Sequence, residues 1–130
     1  MSTITAALGF SGMALYGSSK AALNLLTKAW VAEFGPRGVR VNAVQVGPTL
    51  TETTAQTKDD LQSLAAQAPA GQPASAKIAV SIAYMADDAA SSFVQGTVLP
   101  VDSGRTPSDR TPPGLHRREI SRWTAVRTRQ

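Results

Sequence analysis

Residues 16–30 read YGSSKAALNLLTKAW, with Tyr16 and Lys20 four positions apart at the start of a helical pattern. That spacing stacks a phenol and an ammonium one turn apart on one helical face. An ammonium beside a phenol favours the phenolate, which suits tyrosine to acid–base work near neutral pH. At 3.6 residues per turn, Tyr16, Lys20, Leu23, Thr27, Trp30 and Phe34 fall within about 40° of one line. Leu23, Trp30 and Phe34 therefore predict the stripe that the helix buries against a sheet. A lysine on such a stripe breaks the binary pattern, and breaks of that kind concentrate at functional or strained sites. The plainer alternative is that Lys20 snorkels from the helix end beside an ordinary half-buried tyrosine.

Outward from the helix, Gly35-Pro36 closes it with a glycine and a following proline. Val39, Val41, Ala43, Val44 and Val46 then form an apolar run, the mark of a parallel strand covered on both faces. GPTLTE at 47–52 reads as a turn and helix cap, with Thr49 or Thr51 capping. Residues 51–74 mix polar helix formers with Pro and Gly and lack a strong apolar period. From Ser75 a helix is expected again, with Ile78, Ile82 and Met85 on one face and Lys77 in the first turn. Gly96 leads into a last short strand, Thr97 to Val101, before Asp102-Ser103-Gly104. Pro100 removes a ladder donor and places that strand at an edge.

Two stretches, STITAALGFSGMALYGSSKAALNLLTKAWVAEFGPRGVRVNAVQVGPTLTE and APAGQPASAKIAVSIAYMADDAASSFVQGTVLPVDSGRT, resemble the carboxy-terminal half of short-chain dehydrogenases/reductases. The resemblance covers nearly all of residues 2 to 106. It implies an α/β fold, the carboxy-terminal half of a Rossmann-like doubly wound parallel sheet with about three strands and three or four helices. It implies an NAD(P)-dependent oxidoreductase that moves hydride between nicotinamide and a small-molecule carbonyl or alcohol. Tyr16 would be the acid or base, helped by its place in the first helical turn. Lys20 would support Tyr16 and hold the nicotinamide ribose. The family's substrate-orienting serine, thirteen residues before the tyrosine, corresponds here to Thr3, with Ser2 one step off register. Where the family has Pro-Gly this chain has Val46-Gly47, and the backbone at Thr49 and hydroxyl of Thr51 would meet the nicotinamide carboxamide. Residues 51–74 correspond to the substrate flap. The last strand and the helix before it imply a homo-oligomer.

The glycine-rich strand-to-helix turn that cradles a pyrophosphate is not in this sequence. Neither are the first four strands or the residue that selects NAD or NADP. The chain thus reads as the second half of a Rossmann domain without its amino-terminal nucleotide-binding half. On that reading its first strand has an open edge, its fold is marginal in isolation, and cofactor binding is weak or absent. The alternative function is a non-catalytic remnant or self-association module.

With 42% hydrophobic residues, no cysteine and one histidine, the sequence excludes disulfides, thiolate metal sites and histidine metal clusters. No transmembrane run or charged signal-peptide start is present, so a cytoplasmic protein without membrane partners is expected. Residues 1–105 balance seven Lys/Arg against seven Asp/Glu. The net +4 of the chain lies in residues 106–130, six Arg against Asp109 and Glu119. Two domains follow: 1–105, the partial Rossmann domain, and 106–130, a basic extension read as disordered. Its Trp123 and arginines are the only feature that points to nucleic acid, and Pro112-Pro113 with no apolar period points away from it.

Overall fold

A computed structural model describes residues 1–74 and 77–106. The basic segment beyond Thr106, and with it the disorder and nucleic-acid readings, lies outside the described residues. The element order is β1 (Ser2–Thr3), α1 (Ala14–Phe34), β2 (Ala43–Val46), α2 (Lys58–Ala65), α3 (Lys77–Ala86), α4 (Asp88–Ser91) and β3 (Val98–Val101). Three short 3-10 turns precede or follow these helices, at Ile4–Ala6, Gly35–Arg37 and Ala55–Thr57. The three strands form one parallel sheet in the order β1-β2-β3. Ser2 pairs with Gln45 and Thr3 with Val46, while Ala43 to Val46 run beside Val98 to Val101. This is the expected α/β architecture.

The core lies along β2, where Ala43, Val44 and Gln45 are all buried. Continuous burial fits a central parallel strand. Gln45 is a polar residue in that position, and its amide is satisfied on both sides. Its Oε1 accepts from Asn24 Nδ2 at 3.3 Å and its Nε2 donates to Thr106 Oγ1 at 3.1 Å. The edge assignment of β3 has a direct cause. Ala43 N–H donates to Thr97 O and Gly47 N–H to Val101 O, so the odd-numbered residues of β3 face β2. Pro100 then directs its donorless nitrogen to the side where no described strand follows.

Several sequence expectations shift in detail. The apolar run from Val39 becomes strand only at Ala43, because side chains take over before it. Asn42 Nδ2 donates to Val94 O at 2.7 Å and its Oδ1 accepts from Thr97 N–H at 3.1 Å. Helix α1 does end at Phe34, but Gly35 keeps a helical φ of −56°, and the left-handed residue is Gly38 at φ +80°. The inward line of α1 is also rotated from the expected stripe. Gly17 and Thr27 are buried, Lys20, Leu23, Asn24, Val31 and Phe34 are half-buried, so Leu23 and Phe34 keep their expected place, and only Trp30 of that stripe sits at the exposed rim. Gly17 sets this rotation: a Cβ there would lie 2.7 Å from the Thr5 carbonyl oxygen. Asn24 and Val31 follow on the same side, bonded to Gln45 and packed against Gly96.

Candidate active site

The carboxyl ends of β1 and β2 open into a pocket of about 810 Å³. Ligands in open α/β sheets bind at that end of the strands. Thr3, Tyr16, Val46, Gly47, Thr49 and Thr51 all line it, so the pocket gathers six of the eight sequence-derived site residues. Tyr16 arrives from the first turn of α1 and is 48% exposed. Its hydroxyl has no hydrogen-bond partner among the described residues, nor does the Thr3 hydroxyl. Both are donors facing a space rather than groups spent on the fold.

Lys20 and Ser2 are placed differently. The Lys20 ammonium lies 5.6 Å from the centre of the Tyr16 ring, and its Nζ reaches the Met1 carbonyl at 3.5 Å. It stands over the face of the Tyr16 ring and does not line the pocket. Ser2 is buried, and its hydroxyl donates to the Lys20 carbonyl at 3.4 Å, tying β1 to α1. That hydroxyl therefore serves the helix–strand contact and stands away from the pocket.

Gly47 follows β2 at a crossing too tight for any side chain. A Cβ there would lie 2.8 Å from Asp102 Cα. Its missing side chain is used by the protein's own backbone. Beyond it, Ala74 N–H donates to Pro48 O and Leu50 N–H to Ala74 O, both at 2.8 Å, which pins both ends of the flap together. In such a parallel bridge the intervening residue turns its backbone the other way. Thr49 N–H accordingly has no partner among the described residues. Its carbonyl accepts from Thr54 Oγ1 at 3.0 Å, and its own hydroxyl donates to Gly47 O at 2.9 Å.

The capping reading of Thr49 and Thr51 missed the centre of this loop, which is Thr54. Its hydroxyl accepts from Thr51 N–H at 2.8 Å and lies 3.0 Å from Thr51 Oγ1. The flap was also expected to lack an apolar period. It contains α2, with Asp59 and Asp60 in the first turn, where acids suit the helix dipole. Leu61, Leu64 and Ala65 form its inner face at i, i+3, i+4, and the two leucines line the pocket. A single short helix leaves too little repeat for that signal to stand out in sequence. Ile82, expected beside buried Ile78, is 40% exposed because it faces the same pocket.

The family profile described as Enoyl-(Acyl carrier protein) reductase matches residues 1–106. The chain belongs to the short-chain dehydrogenase/reductase family. As a member, it is 37% identical over 108 residues to the cis-4-hydroxycyclohexanecarboxylate dehydrogenase of Sinomonas cyclohexanicum, covering 82% of this chain and 43% of that one. A solved short chain dehydrogenase/reductase family protein superposes with a TM-score of 0.74 at 44% identity, over 82% of this chain and 44% of its own. A Beutenbergia cavernae protein, described as an NAD(P) dependent gluconate 5-dehydrogenase with bound NADP, matches at 34% identity and a TM-score of 0.72. It is covered over 44% of its length, and this chain over 82%. The short-chain dehydrogenase/reductase chain thus spans less than half the length of these relatives. Among its described residues no helix is long and apolar enough to cross a membrane, and no group of acidic or histidine side chains could hold a metal.

Proposed function

We propose that this chain carries the catalytic face of an NAD(P)-dependent oxidoreductase that interconverts a carbonyl compound and an alcohol, working in the cytoplasm. The observation that carries the reading is the joint placement of Tyr16 and Thr3 on one pocket, with the Lys20 ammonium over the Tyr16 ring, 5.6 Å from its centre. The residues present fit the nicotinamide end of such a cofactor. Thr49 N–H is a donor without a partner among the described residues, and Thr51 lines the same pocket. A bound nicotinamide supplies the hydride in reduction and accepts it in oxidation. In reduction Tyr16 gives its hydroxyl proton to the carbonyl oxygen as the carbon gains hydride, leaving a phenolate and an alcohol. The Lys20 charge and the positive end of α1 stabilise that phenolate. Thr3 donates a hydrogen bond that orients the substrate oxygen.

Calorimetric titration with NADH and NADPH tests the cofactor step, followed by assay of ketone reduction with whichever binds. Because the pyrophosphate-cradling turn is not in this sequence, saturation is expected to be weak and turnover low, and any turnover must depend on Tyr16. Absence of saturation with both would overturn the reading for this chain. The reading includes self-association, supported by Leu25 (69% exposed), Leu26 and Trp30 on the outer face of α1. Sedimentation should show a dimer or larger, and a monomer at all concentrations would remove that element.

A further inference from the structure

Gln45 is a buried polar residue inside the central strand, and its bonds run toward the helix that carries Tyr16. Its Oε1 accepts from Asn24 Nδ2, about two turns along α1 from Tyr16, and its Nε2 donates to Thr106 Oγ1. Thr106 is held in turn. Its N–H donates to Asp102 Oδ2, while Asp102 Oδ1 accepts from the Gly104 and Arg105 amides. Asp102 is buried, and its backbone is the one that closes on Gly47. A single anchor thus references the loop after β2 directly and the helix α1 through Thr106, Gln45 and Asn24. Ser2, the register partner of Gln45 on β1, grips the same helix one turn before Asn24, at the Lys20 carbonyl.

Stability alone does not account for this amide pair. Asn24 Oδ1 is buried and has no hydrogen-bond partner among the described residues. An acceptor left without a donor costs free energy that two hydrocarbon side chains of similar shape would not. Buried polar pairs of this kind are best accounted for by register, because a hydrocarbon contact can slide and a hydrogen bond cannot. Resting on the oxidoreductase reading above, we infer that Gln45 is a positioning residue that, with Asn24 and Thr106, fixes α1 along its axis and so sets Tyr16 in register with Thr3 and the loop at Gly47. Gln45 does not line the pocket, so its effect passes through α1. A displacement of about 1 Å at the reacting groups lowers a rate by on the order of 10²-fold, so small slips of the helix are enough.

The test is the double variant Asn24→Leu with Gln45→Met, which replaces both amides by hydrocarbon. The full chain is labelled with 13C-tyrosine, which gives two ring signals, Tyr16 on α1 and Tyr84 on α3 as the internal reference. The thermal midpoint should stay or rise, while the Tyr16 signal broadens or splits and that of Tyr84 does not. Ketone turnover should fall by about tenfold in kcat with little change in KM for the cofactor. Thr106→Val removes the far partner of Gln45 and alters nothing on α1, so it decides the matter if the double variant does not fold. It should broaden Tyr16 to a lesser degree, and Thr106→Ser should restore the sharp signal. A Tyr16 signal unchanged in every folded variant overturns the inference, as does equal broadening of Tyr16 and Tyr84 with a falling midpoint. Selective broadening of Tyr16 in a chain that reduces no ketone would sink the oxidoreductase reading and leave the positioning of Tyr16 standing.

Discussion

The two ends of β2 use polar groups in opposite ways. At its amino end, everything is spent on the fold. Arg40, just before the strand, donates from Nη1 to the Met85 and Ser91 carbonyls and to Ser91 Oγ at 3.0–3.1 Å. Its Nε and Nη2 both reach Asp88 Oδ1, and Asn42 closes the next turn. At the carboxyl end, the hydroxyls of Thr3 and Tyr16 and the Thr49 N–H take no partner among the described residues. Unspent donors around a pocket make that end the candidate for a ligand that supplies the missing acceptors. The contrast teaches that one strand can be a latch at one end and a site at the other. Residue type alone does not say which.

Substitutions can break that contrast from either side. The largest expected effect is catalytic: Tyr16→Phe should lower ketone turnover by about 10²–10⁴-fold. Because the lost hydroxyl bonds to nothing described, thermal denaturation should barely move. A large fall in stability would show that Tyr16 belongs to the fold. Gly47→Ala comes next, since its Cβ must displace the Asp102 backbone. A loss of about 2–3 kcal/mol in urea unfolding is expected. An unchanged midpoint would mean that the crossing is looser than its geometry.

Arg40→Ala should cost about 2 kcal/mol by the same measurement, because several partners lose a charged donor at once. Arg40→Lys should recover little of it, as one ammonium cannot span Asp88 and the Met85 and Ser91 carbonyls. Full rescue by lysine would reduce the latch to simple charge. Thr54→Val should cost about 1 kcal/mol and weaken NAD(P)H binding by loosening the loop at Thr49 and Thr51. Unaltered binding would separate that loop from the cofactor. Asp88→Ala should be smallest, below about 0.5 kcal/mol, because its carboxylate is 91% exposed although it sits 2.7 Å from Arg40.

Much of the lining of the candidate pocket was legible in the chain. Helical spacing singled out Tyr16 and Lys20, and the family resemblance supplied Thr3, Val46, Gly47, Thr49 and Thr51; all of these but Lys20 line the pocket. Those signals are local, so sequence carries them well. The residues that went unread are those whose meaning depends on a distant partner. Arg40 and Asn42 went unremarked between the valines of an apolar run, yet they bond residues 45 to 55 positions further along the chain. The leucines of α2 looked like part of an unpatterned connection until the bridge between Thr49 and Ala74 folded that segment over the pocket.

The sequence by itself determined the parallel α/β class, the helix bearing Tyr16 and Lys20, and the edge position of β3 through Pro100. Periodicity and a missing N–H act within a few residues, so they need no tertiary information. Only the tertiary structure decided that Ser2 is a helix–strand tie, that Gly17 rather than Trp30 sets the packed face of α1, and that Gly47 is reserved for Asp102. Each depends on how closely two backbones approach. Distance between chain segments is a property of the packed molecule, and no single stretch of sequence encodes it.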